Sequence, residues 1–107
     1  NIQTLIGEMD LALMKARFAL YGTAEACMDP KRKSYATNAV NVTKHVVTNE
    51  AQAVVDKAMR IVGAKSLQRS NPLQRYYRDV RASLHNPPMD DMTIKGLATS
   101  AITENQK

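Results

Sequence analysis

The sequence predicts an all-α protein, an antiparallel helical bundle of two long and two shorter helices. Three observations lead there. Apolar residues recur in steps of three and four along two long stretches, which is the period of a helix face and not of a strand. The long stretches are separated by Asp29-Pro30, and later breaks fall at Gly63, Asn71-Pro72 and Pro87-Pro88. Aromatic residues make up only 5% of the chain while methionine occurs six times, so the interior must be built from aliphatic and thioether side chains that suit helix packing.

The first helix runs from Ile2 to about Met28, with a stripe at Ile2, Ile6, Met9, Leu13, Ala16, Leu20, Ala24 and Cys27 facing a core. Gly7 and Gly22 are expected where a neighbour approaches closely. Asp29-Pro30 ends this helix, because the residue before proline is pushed out of helical angles. The second helix begins between Pro30 and Ser34, where Ser34 can cap it. Its stripe is Ala36, Val40, Val47, Ala51, Val54, Ala58 and Val62, with Thr43 interrupting. Gly63 is placed to end it in a left-handed cap, and Ser66 to Asn71 forms a loop. Asn71-Pro72 opens a third helix carrying Leu73, Tyr76, Tyr77, Val80 and Leu84 on one face. His85-Asn86-Pro87-Pro88 breaks it, since consecutive prolines enforce extended backbone. Asp90 or Asp91 then caps a fourth helix bearing Ile94, Leu97, Ala98, Ala101 and Ile102, and Thr103 to Lys107 is a fraying tail.

The chain of 107 residues is expected to be one domain, 1–107, with a modest core. One cysteine, Cys27, cannot pair within the chain, which places the protein in a reducing cytoplasm. No apolar run reaches the roughly 20 residues that span a bilayer. Asn1 stands where methionine would open a whole protein, and helical periodicity begins at once, so the chain is expected to be a fragment. The net charge of +5 is concentrated: between Lys57 and Arg81 seven cationic side chains face one carboxylate, Asp79. Such a segment implies an anionic partner or an ion-pair network.

Few residues suggest chemistry. His45 and His85 are the two histidines, no His or Cys pair has metal-ligand spacing, and no nucleophile-elbow pattern occurs, so no metal site is expected. His45, beside Lys44, is expected at the solvent edge. His85 ends a helix, where a protonated ring complements the dipole, and the Asn86-Pro87-Pro88 turn pins it as a positioned reactive group would be. Capping and function both remain open for it. The arginine run admits an ion-paired face, with Arg75 and Asp79 at i,i+4. It equally admits a nucleic-acid grip aided by the tyrosines, or contact with an anionic cofactor or partner subunit. Tyr76 and Tyr77 share the apolar face and are better used in packing, so nucleic acid is not the expected partner.

The string Ala58-Met59-Arg60-Ile61-Val62-Gly63-Ala64, followed by Asn71-Pro72-Leu73-Gln74-Arg75-Tyr76-Tyr77-Arg78-Asp79-Val80-Arg81, resembles the C-terminal helical domain of the acyl-CoA dehydrogenase family, including its flavin-dependent monooxygenase relatives. Family members carry Gln-x-x-Gly-Gly at the helix end, then a Pro-x-Glu-Arg-x-x-Arg-Asp-(Ala/Val)-Arg-like string, then a loop facing the flavin. The likeness covers nearly the whole chain in helix order and is most specific from Arg60 to Arg81.

The resemblance implies that the family's N-terminal helical domain, its middle β-domain and the first long helix of its C-terminal bundle lie outside this chain. The fragment alone is then expected to be inactive. In the full protein it would form part of an FAD pocket and an oligomer interface, as a homodimer or homotetramer acting on an acyl-CoA or another small molecule. Arg60, Gly63 and Ala64 would occupy the place that approaches a neighbouring subunit's FAD, and Asn86 the flavin-facing loop. Arg60 in place of glutamine and Ala64 in place of glycine depart from the pattern. No carboxylate stands where many members place a Glu-Gly-Thr base, which leaves His85 as the candidate for proton transfer. The alternatives are a monooxygenase of the same fold and a non-enzymatic basic helical module binding nucleic acid or protein.

Overall fold

Asn1 starts the first helix: its Oδ1 accepts from the Gln3 and Thr4 amides at 2.8 and 3.4 Å, satisfying donors that a first turn leaves free. In the computed structural model, which describes residues 1–105, helix α1 spans Ile2–Met28. Asp29 is extended, and its Oδ1 accepts from Lys31 N at 3.0 Å, which caps a 3₁₀ turn over Pro30–Arg32. Helix α2 follows over Lys33–Val62 without a side-chain cap. Ser34, expected as that cap, lies inside the helix because Asp29 and the 3₁₀ turn have already started it.

Gly63 ends α2 with φ +81° and ψ −153°. The positive φ is as expected, but the pair lies outside the left-handed helical region. A 3₁₀ turn over Gly63–Leu67 follows and buries Ser66, so the expected loop is shorter than Ser66 to Asn71. Helix α3 spans Leu73–Arg81. Asn71 Oδ1 accepts from Leu73 N at 2.9 Å, while the Pro72 carbonyl accepts the first helical amides. A 3₁₀ turn over Ala82–His85 extends α3, and α4 covers Asp90–Asn105.

Neither aspartate is the N-cap of α4. The Met89 carbonyl accepts from the Met92 and Thr93 amides at 3.0 and 3.1 Å, so Asp90 and Asp91 sit in the first turn, where the helix dipole favours carboxylates. Thr103 to Asn105 are helical and not frayed; the rest of the expected tail, Gln106 and Lys107, lies outside the described residues. No strand occurs among the described residues, and the architecture is the expected all-α one.

Helix α2 is the axis of a body 55 × 25 × 24 Å across. Helix α1 runs antiparallel to it, held in register by Lys15–Glu50 at 3.2 Å and Glu8–Lys57 at 3.7 Å. On the other side α3 packs beside the C-terminal half of α2, where Arg81 meets Asp56. Helix α4 packs beside the N-terminal half, where Asn38 Nδ2 donates to Ser100 Oγ at 3.2 Å.

The buried face of α1 differs from the expected stripe. Leu5, Met9, Ala12, Ala16, Ala19, Thr23 and Ala26 face α2, a seam of strict four-three steps like that of a coiled coil. Ala26 is 1% exposed, whereas Ile2 is 57% and Ile6 is 55% exposed. The reason is that α1 is apolar on more than one side: Leu11, Met14, Phe18 and Tyr21 are also exposed. A helix apolar around most of its circumference does not announce which face is inward. Small residues define the seam because they let two backbones approach. Gly7 and Gly22, expected at close contacts, face open space. Thr43 belongs to the seam and does not interrupt it: buried, it donates to the Ala19 carbonyl at 3.3 Å and shares a short hydrogen bond with Thr23.

Candidate functional site

The residues singled out by sequence fall into two groups at different levels of α2. Arg60, Gly63 and Ala64 line an open recess of about 450 Å³, together with Asp56, Met59, Tyr77 and Arg81. His85 and Asn86 belong to the segment after α3, whose backbone meets α2 at Lys44. Lys44 and Arg60 are roughly four and a half turns apart on one helix, ~24 Å of axial rise.

The recess exists because α2 stops at Gly63 while α3 returns beside it. Its wall is fixed by Arg81, whose Nη2 contacts Asp56 Oδ1 and Oδ2 at 3.0 and 3.2 Å. The same guanidinium donates from Nη1 to the Tyr77 carbonyl at 3.0 Å and lies 3.6 Å from the Tyr77 ring centroid. That stacking uses the planar cation on an aromatic face. Arg60 is exposed at the rim and pairs with no carboxylate among the described residues. A Cβ built on Gly63 would meet open space, so a ligand can approach the backbone there. An uncompensated guanidinium above exposed main chain suits an anionic, phosphate-bearing group.

The arginine run is thus divided in use. Arg75 lies 5.5 Å from the Tyr76 centroid, and no Arg75–Asp79 ion pair forms; the ion pair of α3 is made to α2 through Arg81. Tyr76 and Tyr77 stay about two-fifths exposed and are not the packed core residues expected of them, because α3 offers its aromatic face to the guanidinium groups as well as to α2.

The second group is organised by polar residues of α2. Lys44 Nζ donates to the carbonyls of Ser83, Asn86 and Pro88 at 2.9, 2.7 and 2.8 Å. Asn49 Nδ2 donates to Asp90 Oδ2 at 3.0 Å, and His45 Nδ1 sits 3.0 Å from Asp90 Oδ1, close enough for an ion pair but without hydrogen-bond alignment. The Asn49 hydrogen bond holds the Asp90 carboxyl below its usual range; burial opposes this, while His45 and then Lys44 add to it. His45, expected to be a bystander at the surface, is therefore part of the joint between α2 and α4. His85 itself is exposed at the end of its 3₁₀ turn.

Lys44, Asn49 and Asp56 escaped the sequence reading, although a signal was present. His45, Asn49, Gln52 and Asp56 recur in four-three-four steps along α2, a polar stripe on the side away from α1. All four are partly buried; a half-buried polar stripe marks a face that docks through hydrogen bonds. No group of three or more His, Cys, Asp or Glu side chains comes together among the described residues, and no helix among them is long and apolar enough to cross a membrane.

Comparison with known proteins bears on both groups. Residues 1–84 match the family model described as acyl-CoA dehydrogenase, C-terminal domain. The chain is 59% identical over 100 residues to the "Putative acyl-CoA dehydrogenase YdbM" of Bacillus subtilis (strain 168), across 94% of this chain and 26% of that protein. It thus spans about a quarter of that relative's length. The matched family region contains Arg60, Gly63 and Ala64 and ends one residue before His85.

Proposed function

The chain belongs to the acyl-CoA dehydrogenase family, and from that premise we propose that it is the C-terminal helical domain of a larger, cytoplasmic, FAD-dependent acyl-CoA dehydrogenase-like oxidoreductase. In this reading the domain supplies part of the flavin pocket and of the interface between copies. The observation that carries it is the recess in which Arg60, Gly63 and Ala64 come together. Its exposed cation and open main chain fit the pyrophosphate of a dinucleotide. A bound flavin would accept hydride from the substrate's β-carbon.

The roles left to this chain are binding and proton transfer. Arg60 pairs with phosphate, and the bare backbone at Gly63 admits the cofactor's approach. His85 is the group for proton transfer, because an imidazole can serve as acid or base and no carboxylate occurs between Ala82 and Met89. The separation of the two groups along α2 supports assigning them to different flavins: Arg60 to the partner subunit's and His85 to that of its own chain. The exposed apolar face of Leu11, Met14, Phe18 and Tyr21 supports self-association as a homodimer or homotetramer. The domain by itself is expected to be inactive.

The test uses the full-length protein, purified and titrated anaerobically with acyl-CoA thioesters. Co-purifying FAD that an acyl-CoA bleaches is the expected result. FAD without any acyl-CoA response would favour a monooxygenase of the same fold, a reading supported by the histidine standing where a carboxylate base is lacking. Absence of flavin would overturn the proposal and leave a basic helical module. In the His85→Ala protein FAD should stay bound while substrate-dependent flavin reduction slows ~100-fold or more; unchanged turnover would return His85 to capping.

A further inference from the structure

The segment Ser83–Pro88 has little hydrogen bonding of its own. Its internal backbone bond, Asn86 N to the Ser83 carbonyl, is 3.4 Å long, and Pro87 and Pro88 have no amide to donate. Its carbonyls are gathered instead by one side chain. Lys44 Nζ reaches those of Ser83, Asn86 and Pro88, all within 2.9 Å. An ammonium carries three donors, so this cation is saturated by the backbone of a single short segment. It makes no carboxylate pair among the described residues, unlike Lys15 and Lys57 on the α1 seam. Five residues further along α2, Asn49 holds Asp90, two residues beyond the segment in the first turn of α4. His85 is the only titratable side chain between the carbonyls that Lys44 holds.

We propose that Lys44 is a positioning residue: it folds the Ser83–Pro88 backbone around its ammonium and thereby sets where His85 and Asn86 stand. The proposal rests on the reading of His85 as the proton-transfer group. Lys44 does not meet substrate or cofactor in this account. It acts through the segment, and a neutral side chain of equal length cannot replace it: among the described residues the Asn86 and Pro88 carbonyls accept from no other donor, and that of Ser83 has only the long bond from Asn86 N.

The experiment compares full-length wild-type, Lys44→Met and Lys44→Arg proteins by amide hydrogen exchange and by steady-state kinetics with acyl-CoA. In Lys44→Met, exchange at Leu84, His85 and Asn86 should rise about tenfold or more while α1 amides keep their rates. The kcat should fall by at least about tenfold with KM moving less than about threefold, and Lys44→Arg, which retains donors, should recover part of both losses. Exchange within about twofold of wild type in this segment would overturn the proposal; so would acceleration spread over the whole chain. Should Lys44→Met not fold, Lys44→Gln, whose shorter side chain and two N–H groups cannot serve all three carbonyls, is read by the same limits. If the wild-type protein holds no flavin, the proposed function fails, and the exchange measurement still decides whether Lys44 positions the segment.

Discussion

The two sides of α2 are built on different physics. Toward α1 the contact is a continuous seam of mostly small side chains in a four-three repeat, with Ala12, Ala26 and Ala39 buried. Its two ion pairs and the Thr43 hydrogen bonds add to that packing. Toward α3 and α4 the contact is a set of discrete polar ties: Arg81 to Asp56, Lys44 to three carbonyls, Asn49 to Asp90 and Asn38 to Ser100. A seam distributes its energy over many weak contacts and tolerates no added volume. A tie concentrates its energy in one geometry and can be removed by one substitution. The candidate functional residues all sit on the tied side, where backbone placement follows from single side chains.

The largest difference should come from overfilling the seam. Ala26→Leu puts three extra carbons where the residue is 1% exposed, and should cost about 1–3 kcal/mol, read as a lower midpoint in chemical denaturation. A neutral outcome would mean that α1 and α2 are not in close contact at this level. Cutting a tie should cost less. Arg81→Met leaves Asp56 without its partner, but Asp56 is 44% exposed and water can replace the guanidinium, so about 1 kcal/mol is expected. The same variant should loosen the Tyr77 wall of the recess and, on the proposed function, weaken FAD retention in the full-length protein more than it weakens the fold.

The Asp90 joint gives a pH signature. Its carboxyl is held below the ordinary range, so the native state favours the charged form. The resulting stability is fully present above the unfolded pKa and is lost as pH falls through the lowered folded value. Wild type should therefore exceed Asp90→Asn in stability at neutral pH, and the gap should close in acid. A gap that persists unchanged at low pH would show that the contribution is not ionic. The smallest effect on the fold should come from Phe18→Asp: Phe18 is 74% exposed, so helicity and unfolding midpoint should stay within about 0.5 kcal/mol of wild type. Light scattering should nevertheless show a smaller assembly in that variant, and an unaltered mass would place the interface elsewhere.

The contrast between the two sides also explains what could be read from the residues. The helices, their breaks at Asp29-Pro30 and Gly63, and the antiparallel long pair are local or nearly local consequences of period and proline chemistry. The inward face of α1 was not legible, because Ile2, Ile6 and Leu13 outweigh Ala12, Ala19 and Ala26 in any hydrophobic count while the tight seam selects the small residues. Of the candidate site, Arg60, Gly63 and Ala64 were legible as a contiguous string, and they line one recess. The joint at Lys44, His45, Asn49 and Asp90 was not. Its partners lie about 40 positions apart in sequence, and nothing local distinguishes a lysine that collects carbonyls from one that faces water.

The proposed function assigns the two ends of the domain to two different flavin sites, and mixed assemblies of the full-length protein test that assignment most directly. Arg60→Ala and His85→Ala are each expected to be impaired as homogeneous assemblies. Unfolded and reassembled together in equal amounts, they should recover up to about a quarter of wild-type activity as dimers, because half the dimers would hold one site with both residues intact. Mixtures no more active than the separate variants would contradict the assignment and place both groups at a single site of one chain.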